Sequence, residues 1–232
     1  MDQFNYSNES ELSLQGFMSK SFKWMFVGLL IFFVTGFVVA ITPPLALFIY
    51  SNPIITILLA VAEIFLVIRL SAGLMRMSVS SARNSFIAYS VISGIFFSSV
   101  FILFNLNTVM WTFLITGAMF GIMALAGART DVDLSKLSTL FLFGLIGVLV
   151  VSLVNIFIGS DNLSFGISIL AILLFLGITA WDVQRLKRMY FAFSQDGELT
   201  NKVAIFGALQ LFLDFVNIFY YLLRIVAESQ RD

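Results

Sequence analysis

The chain has 232 residues, of which 60% are hydrophobic and only 11% are charged, and its formal net charge is zero. Its mean hydropathy of +1.02 lies well outside the range of soluble domains and predicts an integral membrane protein. The zero net charge gives no indication of a nucleic-acid partner. Cysteine and histidine are both absent, which excludes disulfides, thiol chemistry, haem ligation through these residues and the usual zinc or copper sites. A pH response would therefore depend on carboxylates rather than on imidazole.

Seven apolar segments are long enough to cross a bilayer, which takes about 20 residues. In chain order they comprise residues 24–42, 54–75, 85–104, 109–126, 137–158, 164–183 and 203–226. The first is long, begins far from the amino terminus and lacks a small-residue cleavage pattern, which argues against a cleaved signal peptide. We therefore divide the chain into a polar tail, residues 1–20, and a single membrane domain, residues 21–232. Residues 1–15 are polar and are predicted to be disordered.

Lysine and arginine occur before the first span and in alternate connections. The basic residues of these segments are Lys20, Lys23, Arg76, Arg83, Arg129, Lys136, Arg185, Lys187, Arg188 and Lys202, and the other three connections contain none. This pattern predicts a cytoplasmic amino terminus and, with seven spans, an external carboxyl terminus. Arg224 and Arg231 fit that orientation less well, so a re-entrant seventh segment stays an alternative. Short connections and the lack of an appended targeting signal favour a prokaryotic plasma membrane over an organellar one.

Small residues recur at helix-packing spacing in two of the spans. Ser90, Gly94 and Ser98 follow one another in the third span, and Gly117 and Gly121 lie in the fourth. This spacing predicts close contact between helices in preference to a pore-lining role.

Two aspartates, Asp182 and Asp214, lie inside the last two apolar segments. Each ionisable group near the middle of a membrane helix costs about 2.5–3.5 kcal/mol, so a partner charge, a water-filled cavity or a bound ion has to offset this cost. The seventh span also carries polar residues at spacings of four and three, which place them on one helical face. They are Gln210, Asp214, Asn217, Tyr221 and Arg224. An interhelical hydrogen-bond ladder without a transport role is the alternative interpretation of this polar stripe.

The two aspartates could meet in the cytoplasmic half of the membrane, because the sixth and seventh spans run in opposite directions. Two carboxylates at hydrogen-bonding distance would share a proton, and a divalent cation such as calcium could replace that proton. The second span offers further polar groups, Glu63, Arg69 and Arg76. Glu63 and Arg69 are six residues apart and do not face each other, so each needs a partner on another span. The depth of Arg69 in the span favours an internal ion pair over a contact with lipid headgroups. For Arg76, a snorkelling anchor at the membrane boundary is the alternative.

Several segments, in this order, resemble the Bax inhibitor family, also called the transmembrane BAX-inhibitor-motif proteins. The segments are FKWMFVGL at 22–29, Glu63, GARTDVDLS at 127–135, AWDVQRLK at 180–187 and ALQLFLDFVN at 208–217. The resemblance covers almost the whole chain after the tail. The chain departs from the family after Ser93 and Gly94, where a Gly-Pro pair is frequent in the family, and we carry over no role for that region.

The resemblance implies an all-α integral membrane fold of seven transmembrane helices, six of them packed around a central seventh. It also implies a calcium leak that is inhibited when the aspartate pair is protonated. Asp182 and Asp214 match the two pH-sensing aspartates of the family, and Glu63 matches its acidic residue in the second helix. Arg76 is the best match to the arginine that closes over the pair, and Arg69 is the alternative. The partners implied are the bilayer and calcium, which is the conducted or bound ion, and no cofactor is required.

Other classes of membrane protein fit less well. An intramembrane aspartyl protease needs a Gly-x-Gly-Asp opening, whereas Leu211, Phe212 and Leu213 precede Asp214. Rhomboid-type catalysis needs histidine, and a retinal protein needs a lysine inside the last span, where residues 203–226 contain none. We therefore expect a protein that is not an enzyme. A non-conducting membrane protein that regulates others stays an open alternative.

Overall fold

The computed structural model describes residues 13–229, and these form helices without any strand. The helices are α1 (Leu14–Ala40), α2 (Pro43–Tyr50), α3 (Pro53–Ala72), α4 (Val79–Leu103), α5 (Leu106–Arg129), α6 (Ser138–Ile158), α7 (Asp161–Phe193) and α8 (Gly197–Ser229). All except α2 are long and apolar enough to cross a membrane. The prediction of an all-α fold with seven membrane-spanning helices is therefore confirmed.

The first helix begins earlier than the apolar pattern predicted, at Leu14 rather than at residue 24. Ser13 caps it, because the Ser13 side chain accepts a hydrogen bond from the Gly16 amide at 3.1 Å. Phe17 is fully buried, so the early turns have packing contacts although they are too polar to count as a span. Residues 14–20, which the sequence analysis assigned to the tail, are thus helical. The predicted disorder of residues 1–12 lies outside the described part of the chain.

The connection after the first span contains the short helix α2, which the hydropathy pattern does not predict. Pro43 and Pro44 occupy its first turn, where proline has the backbone angle of a helix and needs no amide hydrogen bond. A helix of eight residues is too short to give a spanning signal, which explains why hydropathy did not reveal it.

The last two helices are 33 residues long each, and both extend beyond the predicted spans. Residues 184–188, just past the predicted end of the sixth span, are polar or basic except for Leu186, but all favour helices, so α7 continues to Phe193. At the start of α8, the Asp196 side chain accepts a hydrogen bond from the Leu199 amide at 2.9 Å. Hydropathy therefore located these spans but not the ends of their helices.

The chain divides into two compact units. The first unit comprises the chain through Leu106 together with Lys187–Phe212, and the second comprises Asn107–Leu186 and the chain from Leu213 onward. The prediction of one membrane domain, residues 21–232, stays a prediction. Of the seven spanning helices described, α8 is the most buried, with 72% of its apolar window inside the protein against 50% for α7 and less for the others. This burial agrees with the enclosed position that the resemblance implies for the last helix.

In the first unit, α1 and α4 cross at small residues. A Cβ atom at Gly94 would lie 2.5 Å from the Phe32 carbonyl oxygen, and one at Gly36 would lie 2.9 Å from the Gly94 carbonyl oxygen. Both distances are too short for a side chain, so glycine is required for this backbone approach. The predicted helix contact of the third span is confirmed at Gly94. Phenylalanine rings pack beside the crossing, with the centroids of Phe32 and Phe97 4.6 Å apart.

In the second unit, the predicted close contact at Gly117 and Gly121 is wrong. A Cβ atom at Gly117 would lie 4.0 Å from the nearest neighbour, Phe215, and one at Gly121 would meet nothing within 4 Å in the described part of the chain. The close approach of α5 occurs instead at Gly127, which packs against the backbone of Ala180 on α7. The small-residue spacing therefore did not predict this contact, because Gly127 lies six residues after Gly121 and not at a spacing of three or four.

Candidate functional site

The two intramembrane aspartates lie close together inside the second unit. Asp182 on α7 is 4% exposed and Asp214 on α8 is 3% exposed, and their side chains are near enough to interact electrostatically. The structure thereby brings together the two residues that the sequence singled out. Because the longer α7 continues well past Asp182, this carboxylate lies within the helix and not at its end.

Each carboxylate of the pair retains an oxygen that can accept another ligand. Among the described residues, Asp182 Oδ1 and Asp214 Oδ2 are buried and have no hydrogen-bond partner. Thr179 lies beside Asp214, but its hydroxyl donates to the Phe175 carbonyl at 2.7 Å. Buried carboxylate oxygens without donors are unfavourable, so the chemistry of the pair suits a proton or a cation that binds there.

Arg185 lies close to the aspartate pair, although the hydropathy pattern did not indicate it as a site residue. Arg185 interacts electrostatically with Asp182, and its guanidinium carbon lies 5.3 Å from the centre of the Trp181 ring. The spacing of three residues from Asp182 and four from Trp181 places all three on one face of a helix. The sequence analysis treated Arg185 as a loop residue because the predicted span ended at residue 183. The spacing itself would have identified it.

Gln184 connects α7 to the segment between α5 and α6, and the sequence analysis did not identify this role. The Gln184 side chain accepts a hydrogen bond from the Leu134 amide at 2.9 Å and donates one to the Val132 carbonyl at 2.8 Å. A side-chain amide can satisfy a backbone donor and a backbone acceptor at once. The connection is thereby fixed two residues from Asp182 along α7. No local sequence signal pairs a glutamine with a loop 50 residues earlier.

Two of the remaining residues of the polar stripe on α8, Asn217 and Arg224, interact along their own helix. Asn217 donates to the Leu213 carbonyl at 2.8 Å, and Arg224 Nε lies 3.8 Å from Glu228 Oε1. Tyr221 lies beside Ser152 of α6. The Asn217 side-chain nitrogen therefore bonds within α8, and the interhelical ladder stays an alternative interpretation of the stripe. Gln210 lies in the first unit, and its side-chain oxygen is buried without a hydrogen-bond partner among the described residues.

Glu63 has hydrogen-bonding partners on the neighbouring helix α4 of the first unit. The Ser93 hydroxyl donates to Glu63 Oε1. The Tyr89 hydroxyl interacts with both Glu63 and Ser93. The expectation that Glu63 needs partners on another span is confirmed. Hydroxyl donors stabilise an intramembrane carboxylate without adding a charge.

The two candidate latch arginines also belong to the first unit. Arg69 Nη2 donates to Ser81 Oγ of α4 at 2.8 Å, so this partner lies on another span but is a neutral hydroxyl and not the acidic partner of the expected ion pair. Arg76 lies in a 3-10 turn, Leu74–Arg76, beyond the end of α3, and is exposed. An exposed arginine at a helix boundary fits the anchor interpretation. The role of either arginine toward the aspartate pair stays a prediction.

The described residues contain no group of three or more Asp, Glu, His or Cys side chains that could hold a metal ion. Calcium is usually bound by six to eight oxygens, whereas the aspartate pair supplies two carboxylates. The oxygens of Asp182 and Asp214 that have no donor fit a hard cation.

Seven apolar helices with an ionisable pair buried among them define an integral membrane protein. The family described as "Inhibitor of apoptosis-promoting Bax1" matches residues 14–231. The chain therefore belongs to the Bax inhibitor family, as the resemblance indicated.

Similar proteins occur in several bacteria. The chain is 35% identical to the inner membrane protein YbhL of Escherichia coli strain K12, over 97% of this chain and 98% of that protein. It is 35% identical to an uncharacterised protein of Borreliella burgdorferi, over 93% of both chains. An uncharacterised membrane protein of Streptococcus pyogenes serotype M6 is 36% identical over 77% of each chain.

Proposed function

We propose that this protein is a pH-sensitive leak channel for calcium, gated by protonation of the pair formed by Asp182 and Asp214. The observation that carries the proposal is the burial of both carboxylates within electrostatic reach of each other. Each also keeps an oxygen without a hydrogen-bond partner among the described residues. We infer no enzymatic activity, and neither the family description nor the names of the relatives include one.

Gating follows from competition between a proton and a cation for the same oxygens. When both aspartates are ionised, their repulsion is relieved by a divalent cation, which prefers carboxylate ligands. When the pair holds a proton, its charge and its affinity for the cation both fall. Calcium is thus the conducted ion in this proposal, and acidification reduces its flux.

An arginine that closes over the pair is part of the proposal. Arg76 is the first candidate and Arg69 the second, on the basis of the resemblance. A guanidinium can replace a cation beside a carboxylate, so such a latch would stabilise a closed state. Glu63 is proposed as a supporting acidic residue.

We further propose that the protein lies in the plasma membrane of a prokaryote, with its amino terminus in the cytoplasm and its carboxyl terminus outside. The alternation of basic and non-basic connections supports this orientation. The name of the Escherichia coli relative, an inner membrane protein, supports the location.

Reconstitution of the purified full-length chain into vesicles of pure lipid, loaded with a calcium dye, tests the function. We expect calcium entry above that of empty vesicles, with a rate that falls as the pH is lowered between about 8 and 6. The double variant D182N/D214N, reconstituted at the same density, serves as the control and should lose the pH response. If the wild-type protein gives no flux above empty vesicles at any pH in this range, the channel proposal fails and a non-conducting regulatory protein is favoured.

A further inference from the structure

An open cleft of about 420 Å³ lies between α3 and α4 in the first unit. Its lining residues are Leu66, Arg69, Ser81, Asn84, Ser85 and Ala88. Arg69 is in the last turn of α3, and Ser81 is near the start of α4. The cleft is therefore at the ends of two spanning helices, at the level where a membrane changes from hydrocarbon to headgroups.

The polar groups of the cleft favour an anion. Arg69 Nη2 bonds Ser81 Oγ at 2.8 Å, which fixes the guanidinium at the cleft and leaves most of its five donors for a ligand. Asn84 adds an amide and Ser85 a hydroxyl, and no carboxylate is among the lining residues. The amino-terminal end of α4, capped by Ser78, contributes a further partial positive charge.

The surrounding chain is basic without compensating acids. Between residues 69 and 84 the charged residues are Arg69, Arg76 and Arg83, with no aspartate or glutamate. Arg76 and Arg83 are both exposed. Basic pockets between membrane helices characteristically bind the headgroups of anionic lipids.

The apolar surface beside the cleft favours a lipid over a free anion. Only 6% of the apolar window of α3 is buried inside the protein, and Phe65 and Ile68 are 59% and 57% exposed. Leu66 and Ala88 form apolar parts of the cleft itself. A lipid could place its phosphate at Arg69 in the polar cleft and its acyl chains along the exposed apolar face of α3.

We propose that this cleft binds the phosphate of an anionic phospholipid, with Arg69 as the principal ligand and Ser81 and Asn84 as additional donors. Arg69 holds the phosphate oxygens through its planar donors. Ser81 keeps the guanidinium in place. This inference is independent of the proposed channel activity, because it concerns the binding of lipid and not the passage of ions.

Thermal unfolding of the full-length protein in a neutral detergent tests the proposal. The probes are dioctanoyl phosphatidylglycerol, dioctanoyl phosphatidylcholine and inorganic phosphate, each titrated separately. We expect phosphatidylglycerol to raise the Tm at the lowest concentration. R69Q should weaken this apparent affinity about fivefold, which is the effect of one basic residue near an anionic surface. N84A, which leaves the charge unchanged, should also weaken the apparent affinity for phosphatidylglycerol.

R129Q is the matched control, because Arg129 is also exposed and ends a spanning helix but does not line the cleft. We expect R129Q to keep the wild-type affinity and R69K to lose part of it. An equal loss in R69Q and R129Q would overturn the proposal in favour of general charge attraction. Equal affinity for phosphatidylcholine would exclude the anionic preference, and an equal response to inorganic phosphate would exclude the lipid. If R69Q does not fold, the comparison of R69K and N84A with R129Q decides the question in the same way.

Discussion

Gly127 on α5 packs against the backbone of Ala180 on α7, and its nearest neighbour there is the Ala180 carbonyl oxygen. Ala180 precedes Asp182 by two residues, so this contact sets the position of α7 close to the aspartate pair. Only glycine permits such an approach, because any Cβ atom would overlap backbone atoms that cannot rotate away. The packing of α5 against α7 in the second unit therefore determines where Asp182 lies.

The first prediction is that G127A destabilises the protein and disturbs the pair. Overpacking at a close contact costs about 1–3 kcal/mol, which should appear as a lower Tm, and the displaced α7 should change the pH dependence of calcium flux. G121A is the matched control on the same helix, because a Cβ atom at Gly121 meets nothing within 4 Å in the described part of the chain. Equal Tm values for the two variants would contradict the proposed contact.

The second prediction concerns the charge of the aspartate pair. D182N and D214N imitate the protonated state, so vesicles containing either variant should show low calcium flux that no longer depends on pH. Their Tm should equal or exceed that of the wild type, because removing a buried charge also removes its desolvation cost. D161N is the control, since Asp161 is exposed at the start of α7. A pH profile unchanged by D214N would remove this residue from the sensor.

Arg185 provides the third prediction. Arg185 interacts electrostatically with Asp182, and a nearby positive charge opposes the binding of a proton to a carboxylate. If the pair gates the channel, the pair should therefore bind a proton more readily in R185Q. The midpoint of the curve of flux against pH should then move to higher pH. R188Q, in the same helix and exposed, is the comparison variant. A midpoint that moves equally in both would indicate general surface charge.

The fourth prediction separates the two latch candidates. R69A and R76A, measured individually in vesicles, should differ, and the variant that lacks the closing arginine should conduct more calcium at high pH, where the aspartates are ionised and a guanidinium can bind them. Arg69 already bonds Ser81, whereas Arg76 is exposed in a turn. Small and equal effects of both substitutions would mean that neither residue closes the site.

The spans and the aspartate pair could be predicted because both are properties of composition along the chain. A spanning helix needs about 20 apolar residues whatever it packs against, and a carboxylate within such a segment is anomalous without any knowledge of its neighbours. Asp182 and Asp214 could therefore both be predicted as candidate site residues from the sequence. Their proximity followed from the antiparallel order of consecutive spans.

Features that depend on tertiary contacts could not be predicted in this way. Gly117 and Gly121 are four residues apart and share a helix face, whereas Gly127 lies six residues after Gly121, and only the neighbouring helix reveals its close contact. Arg185 was missed because hydropathy falls before the helix ends, so its spacing from Asp182 was not treated as helical. The short helix α2 gave no signal because eight residues are fewer than a membrane requires.

The fifth prediction concerns Gln184, which holds the connection between α5 and α6 through two hydrogen bonds. Replacing it with leucine should remove both bonds, and hydrogen exchange at the Leu134 amide should become faster. Q184E is the matched variant, because a carboxylate can still accept from Leu134 but can no longer donate to Val132. We therefore expect Q184E to keep most of the protection at Leu134 that Q184L loses. Mass-spectrometric measurement of exchange in a peptide containing Leu134 distinguishes the outcomes, and equally fast exchange in both variants would show that the Leu134 bond does not protect this segment by itself.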